Sequence, residues 1–453
     1  MTMPAFSVAG RRVVVVGAAR SGMAAASLLA HRGAQVTLTD VKREVRDAAA
    51  LRAAGMRLEL GGHVGASFEA ADLVVTSPGV PFDLPELSRA RSLGVEVIGE
   101  LELASRWLRG PIVAITGTKG KSTTTTLVGR MLEASGRRVL VGGNIGAPLS
   151  GQVESSTADT VHVVEASSFQ LEATDTFRPW IAALLNFSAD HLDRHHDERA
   201  YAAAKTRIFA NQTPSDWAVV NADSAPALRM AEGVRARLVR YGVERAGDAD
   251  VYAGRGFVWQ RTSEGDVPLL PVAAVHLAGR HMLSNVVAAT AISHLAGATP
   301  GALTQAVEGF EGLEHVMEPA GSRGGVRFVN DSKATNVEAA ARSIESFDHV
   351  VAIIGGRFKG GDLRDLAGPM RVHGRAVVAI GETRPLVRAA LEGVVPVTDA
   401  DSLADAVRQA WRLAAPDGVV LLAPACASFD MFVDYADRGR QFKEEVRRIA
   451  DKR

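Results

Sequence analysis

The stretch AITGTKGKSTTTT, Ala114–Thr126, decides how this chain is read. An apolar segment, Pro111–Thr116, runs as a strand into glycines and then into a helix that begins near Ser122. That arrangement gathers successive backbone N–H groups and a helix N-terminus around an anion. The common phosphate loop reads G-x-x-x-x-G-K-[ST]. Counting back from Gly120-Lys121-Ser122 puts Ile115 where its first glycine would stand, with Gly117 and Thr118 closer in. The loop is a shorter variant. Lys121 is spaced to reach the β- and γ-phosphates of a nucleotide, and the Ser122 hydroxyl to sit on Mg2+. A Gly/Thr-rich surface turn is the bland alternative, and the buried strand and the G-K-S ending argue against it. Threonines 123 to 126 are poor helix formers, so some of them are expected to pack or hydrogen-bond.

Composition sets the frame. At 453 residues there is room for about three domains of ~150 residues each. Hydrophobic residues make up 47% and charged residues 23%, an ordinary globular balance. Aromatics are only 5%, so Val, Leu and Ala must fill the cores. Lys+Arg and Asp+Glu both count 51, which argues against a polyanion-binding surface and against nucleic acid as a partner. The single cysteine, Cys426, excludes an internal disulfide framework and fits a reducing cytosol. The N-terminal MTMPAFSVAGRR lacks the apolar core of a signal peptide. The run from Asn285 to Leu303 is broken by His294, Gly297 and Pro300, so it reads as a buried helix and a turn rather than a membrane span. The expected location is the cytoplasm, with no membrane partner and a monomeric chain.

Three α/β segments follow one another. In the first, the β-branched run Arg12–Val16 reads as a buried parallel strand ended by Gly17. Ser21–His31 reads as a helix with Gly33 beyond its end, and Ala34–Asp40 as the second strand. This is a βαβ unit. Its glycines, Gly17 and Gly22, form an incomplete dinucleotide fingerprint, with Ala19 in the place of the second glycine. A nucleotide cleft at the strand ends is favoured over an NAD site; a tight turn and close helix packing are the structural alternative. A break falls near Gly110-Pro111. The second segment alternates strands and helices from the phosphate loop to about residue 314. The third, from residue 315, repeats the alternation through VRFVNDSKATN, HVVAIIGGRFKGGD and GVVLLAPACASFDMF. The expected domains are 1–108, 109–314 and 315–453: a Rossmann-like domain, a central P-loop-type ATPase domain and a second Rossmann-like domain.

Beyond the loop, Glu165 ends the strand in VVEASSFQL, where ligand sites gather and a carboxylate can orient Mg2+. The stretch LLNFSADHLDRHH ends another strand with Asn186 and continues to Asp190, His191 and Asp193. A lone histidine there is ordinarily a loop or capping residue. Lys205 lies among alanines in a helical stretch, YAAAKTRIF, where a lysine is ordinarily a solvated charge.

In order along the chain stand G-T-x-G-K-S, E-x-S-S-F-Q, N-x-x-x-D-H-x-D, the helical lysine, N-D-S-K-A-T-N and P-A-C-A-S-x-D. Together they resemble the Mur ligase family, the ATP-dependent amide ligases that build the peptidoglycan stem peptide. The last two motifs, with GGNIG at 142–146, resemble its D-glutamate-adding branch; the D-N-P-R motif of the lysine- or diaminopimelate-adding branch is absent. The resemblance implies a UDP-binding first domain and three small-molecule substrates: ATP, UDP-N-acetylmuramoyl-L-alanine and D-glutamate. It implies ATP contacts from Gly117, Thr118, Lys119, Gly120, Lys121, Ser122, Thr123, Asn285 and Asp331. It implies UDP-sugar contacts from Arg20, Ser21, Asp40, Ser77, Asn144, Ser167 and Ser168. The D-glutamate contacts would be Lys333, Thr335, Lys359, Ser428 and Phe429. Two Mg2+ ions are implied, with Ser122 and Glu165 at the first, and His191 and a carbamylated Lys205 at the second. Lys121, His191 and Lys205 would be the catalytic group.

The chain departs from the family pattern at three places. Val316 stands where an arginine usually follows the histidine, so that positive contact is either missing or supplied elsewhere, with Arg323 and Arg327 as the candidates; Met282 stands where an asparagine usually precedes Asn285; and Asp40 is followed by Val41-Lys42, where a polar residue is often found. The implied chemistry is phosphorylation of a carboxylate by ATP, followed by attack of an amine on the acyl phosphate. A folylpolyglutamate-type ligase shares loop and chemistry but usually lacks the hundred residues of α/β chain before the loop. A non-catalytic nucleotide switch would need neither Lys205 nor the N-D-S-K-A-T-N motif.

Overall fold

A computed structural model of the chain describes residues 6–45, 47–190, 194–244, 246–277 and 279–451. Packing divides it into two compact units, Met1–Val275 with Ser284–Glu308, and His276–Leu283 with Gly309–Arg453.

The first unit holds two sheets among the described residues. The N-terminal sheet has five strands, all parallel, in the order Arg57–Leu60, Gln35–Asp40, Arg12–Val16, Leu73–Thr76, Glu96–Gly99. Arg12–Val16 is central, and its valines divide by parity. Val13 and Val15 enter one apolar cluster with Ala25 and Leu29, whereas Val14 and Val16 enter another with Phe68 and Leu87. A period of two, with both faces covered, is why the run is continuously apolar.

The second sheet has nine strands in the order Gly265–Pro271, Phe257–Thr262, Val251–Gly254, Arg237–Gly242, Trp217–Asn221, Ile181–Leu184, Ile112–Thr116, Thr160–Glu165, Arg138–Gly143. The order is not the chain order. Ile112–Thr116 lies between Ile181–Leu184 and Thr160–Glu165, parallel to both, so the loops that follow the three strands emerge side by side. That crossover is what brings residues near 117, 165 and 186 to one place.

The edge of this sheet departs from the expected parallel alternation. Val251–Gly254, Phe257–Thr262 and Gly265–Pro271 form an antiparallel ribbon. Its first turn is Arg255-Gly256, both at positive φ (49° and 79°), the two-residue geometry whose twist matches a hairpin.

Two carboxylates of the helix Glu100–Ser105 tie the two sheets together within this unit. Glu100 Oε1 accepts from Ser150 N at 2.6 Å. Glu102, fully buried, accepts from the backbone of Asp175, Thr176 and Phe177, from the Thr176 hydroxyl and from Arg106 Nε.

The second unit carries a six-stranded sheet in the order Glu318–Arg323, Val326–Asn330, Val419–Leu422, Val350–Gly355, Gly374–Ile380, Val397–Asp399. The first pair is an antiparallel hairpin through Gly324-Gly325, again at positive φ (57° and 83°), and the others are parallel. Ala352 and Ile354 pack into one face cluster, Val351 and Ile353 into the other.

Candidate active site around the phosphate loop

The loop is shaped by its glycines and clamped from outside. Gly120 sits at φ 80°, and a Cβ there would lie 2.2 Å from Asn285 Oδ1. Gly117 sits at φ 154° against Leu185. Asn186, which ends the neighbouring strand's extension, holds the loop with both ends of its amide. Its Oδ1 accepts from Thr118 N (3.1 Å) and Lys119 N (2.8 Å), and its Nδ2 donates to Lys119 O (3.0 Å). The Thr118 hydroxyl bonds both the N–H and the C=O of Ser188. In the sequence Asn186 ends a strand and opens the N-x-x-x-D-H-x-D motif; nothing local reveals a partner 67 residues away.

Three lysines converge on this loop. Lys121 Nζ donates to Gly117 O and Thr118 O, both at 2.9 Å. Lys205 Nζ donates to the same Gly117 O at 2.7 Å and lies over the Tyr201 ring. Lys119 pairs with Asp190 at 3.3 Å. Lys205 is not solvated: it is 1% exposed, on the inner face of the helix Glu198–Thr206 with Tyr201 and Ala204. Burial, and next the charge of Lys121, push its amine well below the ordinary lysine range; Lys119 adds to this, and Asp190 and Glu165 oppose it.

Glu165 is 1% exposed at the end of its strand. Its Oε1 accepts from Asn144 Nδ2 at 2.7 Å, while its Oε2 is buried without a hydrogen-bond partner. A buried carboxylate oxygen with no donor is costly unless a cation completes it. Ser122, in the first turn of the helix Lys121–Ala134, supplies a hydroxyl beside the same loop. Glu165 and Ser122 therefore fit an oxygen-seeking cation. Among the described residues no three His, Cys, Asp or Glu side chains converge as a metal cage. His191 and Asp193 lie outside the described residues.

The other expected contacts are placed as follows. Thr123 is buried in the helix, as are Thr124 and Thr125. Asn144 orients Glu165. Ser167 caps the short helix Ser168–Leu171 in a reciprocal box with Gln170. The Ser168 hydroxyl bonds His195 Nε2 at 2.9 Å. His195, 4% exposed and stacked on Phe169 at 5.1 Å, is a site neighbour that sequence reasoning passed over.

In the N-terminal sheet, the Asp40 carboxylate accepts from Ala18 N (2.6 Å) and Lys42 N (2.8 Å), closing the turn after the first strand. The Ser77 hydroxyl donates to Gly17 O, and a Cβ on Gly22 would lie 1.8 Å from that same oxygen. Gly22 is thus required by close helix packing. Ser21 is half-buried in the first turn of the helix, and exposed Arg20 donates to Gly146 O.

In the second unit, Asp331 is buried and accepts from Met317 N and the Ser343 hydroxyl. Lys359 Nζ donates to Thr335 Oγ1 at 3.3 Å. The Arg357 and Ala427 backbones exchange hydrogen bonds, which joins the Lys359 loop to the Ser428 loop. Lys333 directly follows Ser332, Ser428 is buried, and Phe429 is 64% exposed. Arg323 and Arg327 lie over Trp411 and Phe347, at the end of their hairpin away from Asp331. Met282 is buried.

Comparison with known proteins gives a consistent assignment. Residues 11–99 match the Mur ligase MurD-like N-terminal domain, 115–293 the Mur ligase middle domain and 317–426 the Mur ligase glutamate ligase domain. The chain is 44% identical over 443 residues to a UDP-N-acetylmuramoylalanine--D-glutamate ligase of Acidobacterium capsulatum, covering 96% of each chain. It is 43% identical to a protein of the same name in Desulfosudis oleivorans, covering 97% of each. Among solved structures it resembles a pseudomurein peptide ligase type C from Methanothermus fervidus (TM-score 0.59, 17% identity, 97% of this chain and 100% of that one). It also resembles UDP-N-acetylmuramate-alanine ligase MurC from Thermotoga maritima (TM-score 0.58, 19% identity, 97% and 100%). With three domain patterns in order and relatives above 40% identity along nearly its whole length, this chain belongs to the Mur ligase family.

Proposed function

We propose that this chain joins D-glutamate to UDP-N-acetylmuramoyl-L-alanine, at the expense of ATP, in peptidoglycan precursor synthesis. As a Mur ligase it is an ATP-dependent amide-forming enzyme. The observation that carries a ligase rather than a nucleotide switch is Lys205, a fully buried amine of depressed basicity against the phosphate loop.

The γ-phosphoryl group passes from ATP to the L-alanyl carboxylate, giving ADP and an acyl phosphate. The D-glutamate amine then attacks the acyl carbon and phosphate leaves. Lys121 must exchange its bonds to Gly117 O and Thr118 O for the transferred phosphate, so its ammonium is already aimed along the loop. Gly117 to Thr123 cradle the phosphates, and Asn285 and Asp331 take the nucleoside side. Arg20, Ser21, Asp40, Ser77, Asn144, Ser167 and Ser168 hold the UDP-sugar. Lys333, Thr335, Lys359, Ser428 and Phe429 hold D-glutamate. Two Mg2+ ions, when bound, would neutralise charge between triphosphate and carboxylate, one held by Ser122 and Glu165 and the other by His191 and Lys205. An ammonium has no lone pair to offer a cation. A neutral Lys205 reacts with CO2 to a carbamate, releasing one proton, and that oxygen ligand suits a hard cation. The domain division at 108 and 314, a monomeric state, a cytoplasmic location and the absence of a nucleic-acid partner belong to the same proposal.

The test is phosphate release from ATP with UDP-N-acetylmuramoyl-L-alanine, with and without D-glutamate. Release that requires D-glutamate and yields the amide is expected. Release that is indifferent to it, or that requires L-lysine or a folate acceptor instead, overturns the assignment.

A further inference from the structure

The expected UDP-sugar contacts fall on both sheets of the first unit. Ser77 lies in the turn after Leu73–Thr76, with its hydroxyl on Gly17 O. Ser167 and Ser168 open the short helix that follows Thr160–Glu165. The turn Ser77–Val80 is pressed onto the end of the first strand: a Cβ on Gly17 would lie 3.0 Å from Ser77 Oγ and 3.1 Å from Val80 Cγ2.

One side chain from a third element joins these two places. Arg194 Nη2 donates to Val80 O at 2.7 Å and to Glu172 Oε1 at 3.1 Å. Glu172 is the residue that ends the helix Ser168–Leu171. The guanidinium lies 5.4 Å from the centre of the Phe169 ring. The next residue, His195, stacks on that same ring, bonds Ser168 Oγ at 2.9 Å and brings its Nδ1 to 3.7 Å from Glu172 Oε2. Arg194 and His195 therefore hold both ends of the short helix, and Arg194 ties it to the turn beside Gly17.

The base of the junction is fixed independently. Gly99 N donates to Ala173 O at 2.7 Å, and Glu102 gathers the N–H groups of Asp175, Thr176 and Phe177. Those bonds hold the frameworks of the two sheets and leave the turn Ser77–Val80 untouched. The His196–Asp83 contact (3.4 Å) is exposed on both sides and so contributes little. Arg194 is different: it and Glu172 are each only 19% exposed, and a charge-assisted hydrogen bond out of the bulk solvent is among the stronger kinds.

Building on the ligase reading above, we propose that Arg194 is a positioning residue that holds the two halves of the UDP-sugar site at the separation the intact nucleotide sugar requires. UDP alone meets only the half in the N-terminal sheet. The strut is felt by a ligand that reaches on to Ser167 and Ser168, because preset halves need no ordering when that ligand binds.

The experiment measures UDP and UDP-N-acetylmuramoyl-L-alanine binding by calorimetry to wild type, Arg194→Met and Arg194→Met/Glu172→Gln, each checked for folding by circular dichroism. The double variant removes the carboxylate that the single one leaves without its partner, which protects the fold. Both variants are expected to bind the UDP-sugar about tenfold more weakly, equivalent to ~1.4 kcal/mol, and UDP within about twofold of wild type. The KM for ATP should hold. Hydrogen exchange should quicken over 77–84 and stay unchanged over 12–16. Unaltered UDP-sugar affinity in a folded variant overturns the proposal, as does an equal loss for UDP and the UDP-sugar. So does unchanged exchange over 77–84. Wild type that binds neither UDP nor the UDP-sugar would instead overturn the ligase reading, and the exchange data would still decide whether Arg194 holds the turn.

Discussion

Gly120→Ala tests the loop geometry most directly. Two costs add at this position. At φ 80° an alanine adopts the left-handed conformation, worth roughly 1–2 kcal/mol for a residue with a Cβ. The new methyl would also lie 2.2 Å from Asn285 Oδ1, so that amide must withdraw by about 1 Å from a buried position, a rearrangement of typically 1–3 kcal/mol. The sum is about 2–5 kcal/mol, which at roughly 2 °C per kcal/mol for a unit of this size shifts the melting temperature by about 4–10 °C. Differential scanning fluorimetry and the phosphate-release assay read the two consequences, a lower melting temperature and a raised KM for ATP. The double variant Gly120→Ala/Asn285→Ala separates the terms. Removing Oδ1 relieves the collision but not the backbone strain, so the cycle should show a favourable coupling of about 1 kcal/mol or more. A Gly120→Ala protein with native melting temperature and native ATP KM would refute both the conformation and the contact. Strict additivity in the double variant would refute the contact alone.

Lys121→Ala should leave the fold intact and lower kcat by about 10²–10³-fold, the usual effect of losing one charge-stabilising donor, as followed by phosphate release. Lys205→Ala should lose activity and regain part of it with acetate or another short carboxylate; full activity in CO2-free buffer would leave the carbamate without a role. Glu102→Gln should cost about 3–5 kcal/mol at pH 7, because an amide NH2 then meets several N–H donors that a carboxylate satisfied. Burial pushes the Glu102 pKa up, but the hydrogen bonds from Thr176, Asp175 and Arg106 outweigh it, so the folded value lies below the unfolded one. Its contribution is present above the unfolded pKa and lost as pH falls through the folded one, so urea midpoints of wild type and variant should converge in acid. Glu100 behaves oppositely: burial raises its pKa, so its ionisation opposes folding as pH rises through the folded value, and Glu100→Gln should be neutral or stabilising at pH 7 to 8 by the same measurement.

Short-range pattern was enough for the architecture. The valine run Arg12–Val16, the G-K-S loop between a strand and a helix, and the alternation of strand and helix each lie within a few tens of residues, and periodicity over such windows is set by which faces are buried. The hairpin turns Arg255-Gly256 and Gly324-Gly325 were also present as local signals, in a chain otherwise reading as parallel α/β. The site's inner contacts were not legible in this way. Lys205 among alanines carries the signature of a solvated lysine, and it is buried only because the helix Glu198–Thr206 presents it to Gly117. Asn186 clamps the phosphate loop only because strand order sets Ile181–Leu184 beside Ile112–Thr116. Arg438 joins Ser332 and Cys426, 94 residues apart, because the strands before them are neighbours in one sheet. Propensity and spacing act along the chain, whereas desolvation and hydrogen-bond satisfaction act across it; the tertiary structure alone decides which charges lose their water and which groups replace it.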